Sequence, residues 1–257
     1  ATALVQLGGL NFLTDPHFSE RASPVQFMGP KRWQPPGVAL DDLPPIDVVL
    51  LSHNHYDHLD AGTVTRLKKQ RGGAPVFIVP LGLERWLEGA GVKRIRKMDW
   101  WDCIDARGAA ITLVPAQHWS RRTLADTNTT LWGGFVVQAA RRSFYFAGDT
   151  GYGPDFQEIG ARFRGFDLAL LPIGAYEPRW FMKSAHINPD EAVRIHREVR
   201  ARRSVAIHWG TFPLTDEPLD QPLADLTAAR TRHKLAAREF VTLRHGETLN
   251  LDLDTGP

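Results

Sequence analysis

A dense group of potential metal ligands constrains this chain more than any other feature of its sequence. Three histidines and one aspartate fall within the six residues from His53 to His58, one residue after the run Ile46–Leu51, which is apolar except for Asp47. Such a run is typical of a strand that is buried on both faces. In an extended segment alternate side chains point the same way, so His53 and His55 can reach one metal ion. Asp57 and His58 then enter the turn to the next helix, where they can serve a second metal.

The composition decides which donor atoms are available to such a metal. Cys103 is the single cysteine of the chain, which excludes an internal disulfide framework and a cysteine-rich metal site. The remaining donors are imidazole and carboxylate, which suit Zn²⁺, Fe or Mn²⁺. Clustered histidines can also be solvated loop residues, but here they follow a core strand, which favours a role as ligands.

Further candidate ligands occupy the carboxyl ends of other predicted strands, where open α/β sheets place their sites. These are His118, Asp149 and His208. Together with the first group they make two sets of three ligands, which leaves Asp149 free to bridge them. Two metal ions about 3.5–4 Å apart can then share a hydroxide. Gly148 and Gly151 flank Asp149 and allow the backbone to approach closely.

Apolar periodicity and turn signals predict alternating strands and helices along the chain. No linker separates two domains, so we expect residues 1–257 to form one α/β domain, an αβ/βα sandwich of two mixed β-sheets with helices on the outer faces. Strands are predicted at Ala3–Leu7, Leu10–Thr14, Ile46–Leu51, Pro75–Val79, Ala110–Val114, Leu131–Gln138, Ser143–Ala147, Asp167–Leu171, Ser204–Ile207, Phe240–Leu243 and Thr248–Leu253. Helices are predicted at Ala61–Gln70, Gly82–Gly89, Pro154–Phe163, Pro189–Arg200 and Leu219–Ala237.

Three segments outside these elements carry predictions about the surface. The proline-rich stretch Asp15–Pro45 reads as a long loop, and loops of this length are usually functional, so we expect it to cover a site. Tyr176–Met182 mixes aromatic, cationic and flexible apolar groups, which suits either a lipid interface or a packed loop. Arg121 and Arg122 are expected to be solvated, and they are the arginine pair best placed to meet anionic lipid.

Charge and hydropathy exclude two classes of protein. The 31 Lys and Arg residues nearly balance the 29 Asp and Glu residues, with a formal net charge of +2. The apolar runs are far shorter than the roughly 18 to 20 residues that a membrane-spanning helix needs, so we predict no transmembrane segment. A nuclease on a fold of this kind would need a long basic insertion, and the sequence contains none. Nucleic acid is therefore not an expected partner.

Segments along nearly the whole chain resemble one enzyme family. His53–His58 matches the HxHxDH signature of the metallo-β-lactamase fold superfamily, and longer segments resemble its N-acylphosphatidylethanolamine-hydrolysing phospholipase D branch. The signature alone specifies a superfamily of many chemistries, whereas the block Ile173–Met182 is specific to this branch. The segments that carry the resemblance are Phe12–Pro16, Arg21–Pro24, Met28–Arg32, Leu43–Asp47, Ala147–Tyr152, Ile173–Met182 and Ala206–Thr211. On this resemblance the given sequence begins inside the family's first strand.

The resemblance implies a single metallo-β-lactamase-fold hydrolase domain with two Zn²⁺ ions and a bridging hydroxide. The implied reaction hydrolyses N-acylphosphatidylethanolamine to N-acylethanolamine and phosphatidic acid. Asp57 and Asp149 would be the catalytic residues. The implied ligands are His53, His55 and His118 on one zinc, Asp57, His58 and His208 on the other, and Asp149 between them.

Predicted substrate contacts are less specific than the metal ligands. His186 is expected either to bind loop carbonyls or to contact the substrate phosphate. Tyr56 is expected to hold its phenol over the pocket as a hydrogen-bond donor, and Trp180 and Phe181 to meet the lipid. The implied partner is a phospholipid at a membrane surface, with a cytoplasmic or peripheral membrane location, and a homodimer is compatible with this picture. The alternatives are a thioester or lactone hydrolase of the glyoxalase-like type and a metal-holding membrane module without turnover.

Overall fold

The computed structural model describes residues 2–251, which form two β-sheets flanked by helices. The first sheet runs in the order β1-β2-β3-β4-β5. Its hairpin β1/β2 is antiparallel and its remaining pairs are parallel. Its strands are β1 (Ala3–Leu7), β2 (Leu10–Thr14), β3 (Val48–Leu50), β4 (Val76–Pro80) and β5 (Ile95–Met98).

The second sheet runs in the order β12-β11-β10-β9-β8-β7-β6. The strands from β12 to β9 pair in parallel, and those from β9 to β6 pair antiparallel. Both sheets are therefore mixed. The strands are β6 (Cys103–Ala106), β7 (Ala109–Val114), β8 (Gly134–Ala139), β9 (Arg142–Phe146), β10 (Phe166–Pro172), β11 (Ala201–Ile207) and β12 (Phe240–Val241).

Helices cover the outer face of each sheet. The helices are α1 (Ala61–Leu67), α2 (Leu83–Gly89), α3 (Asp155–Phe163), α4 (Arg179–Met182), α5 (Pro189–Glu198) and α6 (Gln221–Arg232). Helices α1 and α2 pack on the first sheet, while α3, α5 and α6 pack on the second. The helix α5 begins as its sequence predicts, because Asn188 and Glu191 form a reciprocal capping box.

The strand before the histidine cluster is buried on both faces, as its continuous apolar run predicts. Val48 and Leu50 face the core between the two sheets, and Val49 and Leu51 face the core under the helices of the first sheet. All four side chains are 0% exposed. This layering confirms the predicted αβ/βα sandwich of two mixed sheets.

Several predicted boundaries are wrong or incomplete. The strands β5 and β6 and the helix α4 are not predicted from the sequence, because they are short and have weak periodicity. The predicted strand Thr248–Leu253 is wrong for residues 248–251, which form no strand, and its last two residues lie outside the described part of the chain. The last helix is also shorter than predicted, because it begins at Gln221 and ends at Arg232.

Candidate metal centre

A first group of imidazoles converges at the carboxyl edge of the two sheets. The Nδ1 atom of His55 lies 2.9 Å from Nε2 of His53 and 3.2 Å from Nε2 of His118. These atoms cannot all carry hydrogens at such separations without repulsion, and three imidazole nitrogens facing one point form a metal-binding arrangement. The structure therefore brings together the three histidines that the sequence assigns to one metal.

Hydrogen bonds at Nδ1 of two of these rings leave Nε2 available to bind a metal. Nδ1 of His118 lies 2.9 Å from the carbonyl oxygen of Ala185, and Nδ1 of His53 lies 2.9 Å from Oγ of Ser52. Burial lowers the pKa of His53 and His118 well below its ordinary value. The two rings are consequently neutral at pH 7, with Nε2 available as a ligand.

A second group combines two imidazoles with two carboxylates. Nε2 of His58 lies 3.0 Å from Oδ2 of both Asp57 and Asp149. Nε2 of His208 lies 3.1 Å and 3.2 Å from the same two oxygens. These four residues come from the turn after β3, the loop after β9 and the end of β11, so the fold assembles them from both sheets.

The charges in this second group are strongly coupled. Burial alone would lower the pKa of His208, but Asp149 and Asp57 raise it to about 9. The same carboxylates raise the pKa of His58 well above its ordinary value against the effect of burial. A divalent cation at this point would take the place of the imidazole protons, so binding here releases protons.

Unpartnered buried atoms test whether the site fits two cations. Oδ1 of Asp149 and Nδ1 of His186 are buried and have no hydrogen-bond partner among residues 2–251. The Asp149 carboxylate lies within ligand distance of the second group through Oδ2, and it also groups with His118 and His186 on the other side. A carboxylate with one oxygen toward the second group and a second oxygen unpartnered among the described residues has the donor atoms that a bridging ligand needs. The donor set of imidazoles and carboxylates fits two divalent metals.

Asp15 orients one ligand in each group, and the sequence analysis did not single it out. Its Oδ2 lies 2.6 Å from Nδ1 of His58 and accepts a 2.5 Å hydrogen bond from Oγ of Ser52, which in turn contacts His53. Asp15 is 0% exposed. It directly follows β2, so the rule that located the other candidates at strand ends could have found it. In the sequence, however, Asp15 begins the proline-rich stretch Asp15–Pro45, and that composition indicates a loop residue.

The local backbone is shaped to hold these residues. Gly148 has φ +66°, and a Cβ there would lie 2.7 Å from Cβ of Ser52, so only glycine allows Asp149 to approach β3. A Cβ on Gly174 would lie 2.2 Å from the carbonyl oxygen of His208. His208 itself has φ 59°, in the left-handed region that costs a non-glycine residue about 1–3 kcal/mol.

The predicted substrate contacts fall into two locations. His186 lies inside the site, with its unpartnered Nδ1 3.9 Å from Oδ2 of Asp149 and its ring 5.0 Å from that of His118. Trp180 and Phe181 lie on α4 and are 80% and 64% exposed. This helix leads directly into Ala185 and His186, so the exposed aromatic rings are connected to the site by a short stretch of chain.

Two predictions about the neighbouring loop need correction. The Tyr56 hydroxyl donates a 2.8 Å hydrogen bond to the carbonyl oxygen of Arg122, so its single hydrogen is used within the protein and not held over the pocket. Arg122 is half-buried because its guanidinium packs against the Tyr56 ring at 4.1 Å. It is therefore not a solvated residue that could meet lipid. Arg121 is exposed and lies over Trp119.

A cavity of about 650 Å³ adjoins the second group. Asp57 and His208 form part of its wall, and apolar side chains from the inner faces of β1, β10 and β11 form much of the rest. Cavities of this size and composition are typical of sites for small organic ligands. The metal-binding edge thus continues into an apolar space between the sheets.

Comparison with known proteins identifies the class to which this fold and site belong. A family model described as the beta-lactamase superfamily domain matches residues 10–209, so the chain belongs to the beta-lactamase superfamily. A solved structure with a similar fold is an isothiocyanate hydrolase from Delia radicum gut bacteria. Its TM-score is 0.76 at 20% identity, with 97% of this chain and 96% of that chain covered.

Sequence relatives narrow the class further. The chain is 46% identical over 96% of its length to N-acyl-phosphatidylethanolamine-hydrolyzing phospholipase D 1 of Caenorhabditis elegans and covers 72% of that protein. It is 38% identical over 83% of its length to the mitochondrial enzyme of that description in Saccharomyces cerevisiae, of which it covers 47%. The chain therefore belongs to the N-acyl-phosphatidylethanolamine-hydrolyzing phospholipase D family, which confirms the resemblance seen in its sequence.

Proposed function

We propose that this protein is a two-metal phosphodiesterase that hydrolyses N-acylphosphatidylethanolamine to N-acylethanolamine and phosphatidic acid. The observation that carries the proposal is the pair of converging donor groups that meet at Asp149 in a chain with 46% identity to an enzyme of that name. Paired metals about 3.5–4 Å apart suit phosphate esters, because they can stabilise both the attacking and the leaving oxygen.

We assign the residues to two zinc ions by the atoms that face each other. His53 Nε2, His55 Nδ1 and His118 Nε2 would hold the first ion, with contacts of 2.9 and 3.2 Å between these atoms supporting the assignment. Asp57, His58 and His208 would hold the second. Asp149 would bridge, since Oδ2 faces the second group and Oδ1 has no partner within the described residues 2–251.

When bound, two zinc ions would lower the pKa of a water held between them to about 7 and neutralise the charge of the phosphate. Asp57 would orient that water and accept hydrogen bonds from it, because the neighbouring His58 and His208 hold the pKa of Asp57 well below its ordinary value against the effect of burial. Burial lowers the pKa of His186 to about 4, so its imidazole is neutral at pH 7. We assign His186 to a hydrogen bond with a phosphate oxygen.

Exposed aromatic side chains next to the site support a substrate that is held at a lipid surface. Trp33 is 77% exposed, and its backbone N–H donates a 2.7 Å hydrogen bond to the carbonyl oxygen of Thr211, three residues after His208. Trp180 and Phe181 lie on the helix that leads into His186. None of the helices formed by residues 2–251 has the length and apolarity that crossing a membrane requires. We therefore propose peripheral contact with the membrane.

A panel of defined substrates tests the proposed reaction. The zinc-loaded protein is expected to release N-acylethanolamine from N-acylphosphatidylethanolamine, and not to cleave a glutathione thioester, a lactone or a β-lactam at a comparable rate. Asp57→Asn serves as the matched control, because the amide keeps the shape and removes the charge. Loss of a general-base contribution alone is typically 10²–10⁴-fold. Faster cleavage of the thioester or lactone than of any phosphodiester would replace this proposal with the glyoxalase-like alternative.

A further inference from the structure

The guanidinium of Arg122 spans the two ends of a short segment that carries three of the seven candidate ligands. Its Nη1 atom donates hydrogen bonds of 2.7 Å to the carbonyl oxygen of Asn54 and 2.9 Å to that of Leu59. These two carbonyls bracket the residues from His55 to His58. One nitrogen thus joins the entry and the exit of the turn that presents an imidazole to the first group and two ligands to the second.

Two aromatic rings pack near this guanidinium. Its central carbon lies 4.1 Å from the ring centre of Tyr56 and 5.1 Å from that of Trp86 on α2. The Tyr56 hydroxyl donates a 2.8 Å hydrogen bond back to the Arg122 carbonyl oxygen. Arginine suits this position because its planar group can donate in its plane while its faces stack on aromatic rings.

The backbone of Arg122 is itself fixed within the loop that follows His118. Oδ1 of Asp126 accepts hydrogen bonds from the backbone N–H of Arg122 at 2.9 Å and of Thr123 at 2.7 Å. The hydroxyl of Ser120 donates a 2.7 Å hydrogen bond to the carbonyl oxygen of Thr130, which closes the same loop. Arg122 therefore connects the turn after β3 of the first sheet to the loop after β7 of the second.

We propose that Arg122 is a positioning residue that holds His55, Asp57 and His58 at a set distance from His118 and thereby slows the release of bound metal. The two ligand segments belong to different sheets, and the paired imidazoles of His55 and His118 meet across that boundary. Partners that orient metal ligands from outside the ligand shell typically change metal affinity by 10–100-fold. The inference rests on the proposed metal centre but not on the identity of its substrate.

Zinc release into an excess of chromophoric chelator tests this role without an activity assay. Arg122→Gln removes the charge and the stacking, and we expect it to release zinc 10–100-fold faster than the parent protein. Arg122→Lys is expected to release zinc more than threefold faster than the parent but more slowly than Arg122→Gln, because an ammonium can still donate to both carbonyls but cannot stack as a plane. The cobalt(II)-substituted Arg122→Gln protein should also show shifted visible absorption bands, since its ligands are no longer held at the parent geometry.

The Arg162→Gln variant is the matched control, because Arg162 on α3 also lies over an aromatic ring, with its central carbon 4.0 Å from the ring centre of Trp101, and pairs with Glu158 of the same helix. Its loss should leave zinc release within threefold of the parent. Release at the parental rate from Arg122→Gln, or equal acceleration in Arg162→Gln, would overturn the inference. If Arg122→Gln does not fold, Arg122→Lys decides, and release within threefold of the parent would overturn the inference. A parent protein that binds no zinc would instead refute the proposed metal centre.

Discussion

Replacing Asp15 by asparagine is expected to weaken metal binding in both groups at once. Oδ1 of Asp15 accepts a 2.7 Å hydrogen bond from the backbone N–H of Ser52, while Oδ2 faces Nδ1 of His58 at 2.6 Å and the Ser52 hydroxyl at 2.5 Å. An asparagine that keeps the first bond must place its NH₂ group where Oδ2 was. This group can donate but cannot accept.

The NH₂ group of the asparagine would reverse the tautomers of two ligand rings, those of His58 and His53. His58 would have to accept at Nδ1 and carry its hydrogen on Nε2, the atom that faces Asp57 and Asp149. The Ser52 hydroxyl, no longer able to donate to residue 15, would turn its hydrogen toward Nδ1 of His53 and move that ring's hydrogen to Nε2 as well. The opposite amide rotamer avoids this but leaves two donors facing each other at Ser52, which costs about 1–3 kcal/mol.

The expected decrease in metal affinity of Asp15→Asn follows from the loss of one orienting partner for each ion. Such a loss typically lowers metal affinity by 10–100-fold, or about 1.4–2.7 kcal/mol for each ion. Competition with a chelator of known affinity, combined with elemental analysis, measures the two constants. Ser52→Ala interrupts only the branch to His53 and should weaken one ion alone. Asp60→Asn removes a buried carboxylate that caps α1 and should leave both constants near the parental values. Parental affinity for both ions in Asp15→Asn would refute the reasoning.

Three further predictions address bridging, lipid contact and pH. The parent should hold two metals per chain by elemental analysis, and Asp149→Ala should lose both together; loss of only one would argue against a bridge. Replacing Trp180 and Phe181 by alanine should reduce activity on micellar lipid at least tenfold more than activity on a short-chain soluble phosphodiester. The reason is that burying each ring in lipid contributes roughly 1.5–3 kcal/mol to binding. Equal losses on both substrates would show that the two rings have no interfacial role. Burial lowers the pKa of His17 from 6.5 to about 4. The unfolded chain therefore takes up this proton at higher pH than the folded protein, and the free energy of unfolding should fall by about 3 kcal/mol as the pH drops from 6.5 to 4. Denaturation of His17→Gln across that range should lack this share of the slope, and an unchanged slope would contradict the assignment.

The sequence by itself determined the features that depend on local pattern. Within Ile46–Leu51, the four residues from Val48 to Leu51 are all apolar. A strand with alternate side chains on opposite faces must then bury both faces, so this run predicts a fully buried strand. The alternation of His53 and His55 places two imidazoles on one side for the same reason. The capping box before α5 is likewise contained in four consecutive residues.

Only the tertiary structure decided which distant residues meet these local elements. Asp15 lies beside His58 because β2 and β3 are parallel neighbours whose carboxyl ends share one edge, a pairing that no local pattern encodes. The short strands β5 and β6 are held by their neighbours more than by their own weak periodicity. Arg122 looks like a surface residue in the sequence, yet the fold surrounds it with Tyr56 and Trp86 and gives it two carbonyl partners. Residues that are far apart in the chain contact each other only after both sheets have formed and packed together. Such contacts therefore cannot be predicted from local sequence patterns.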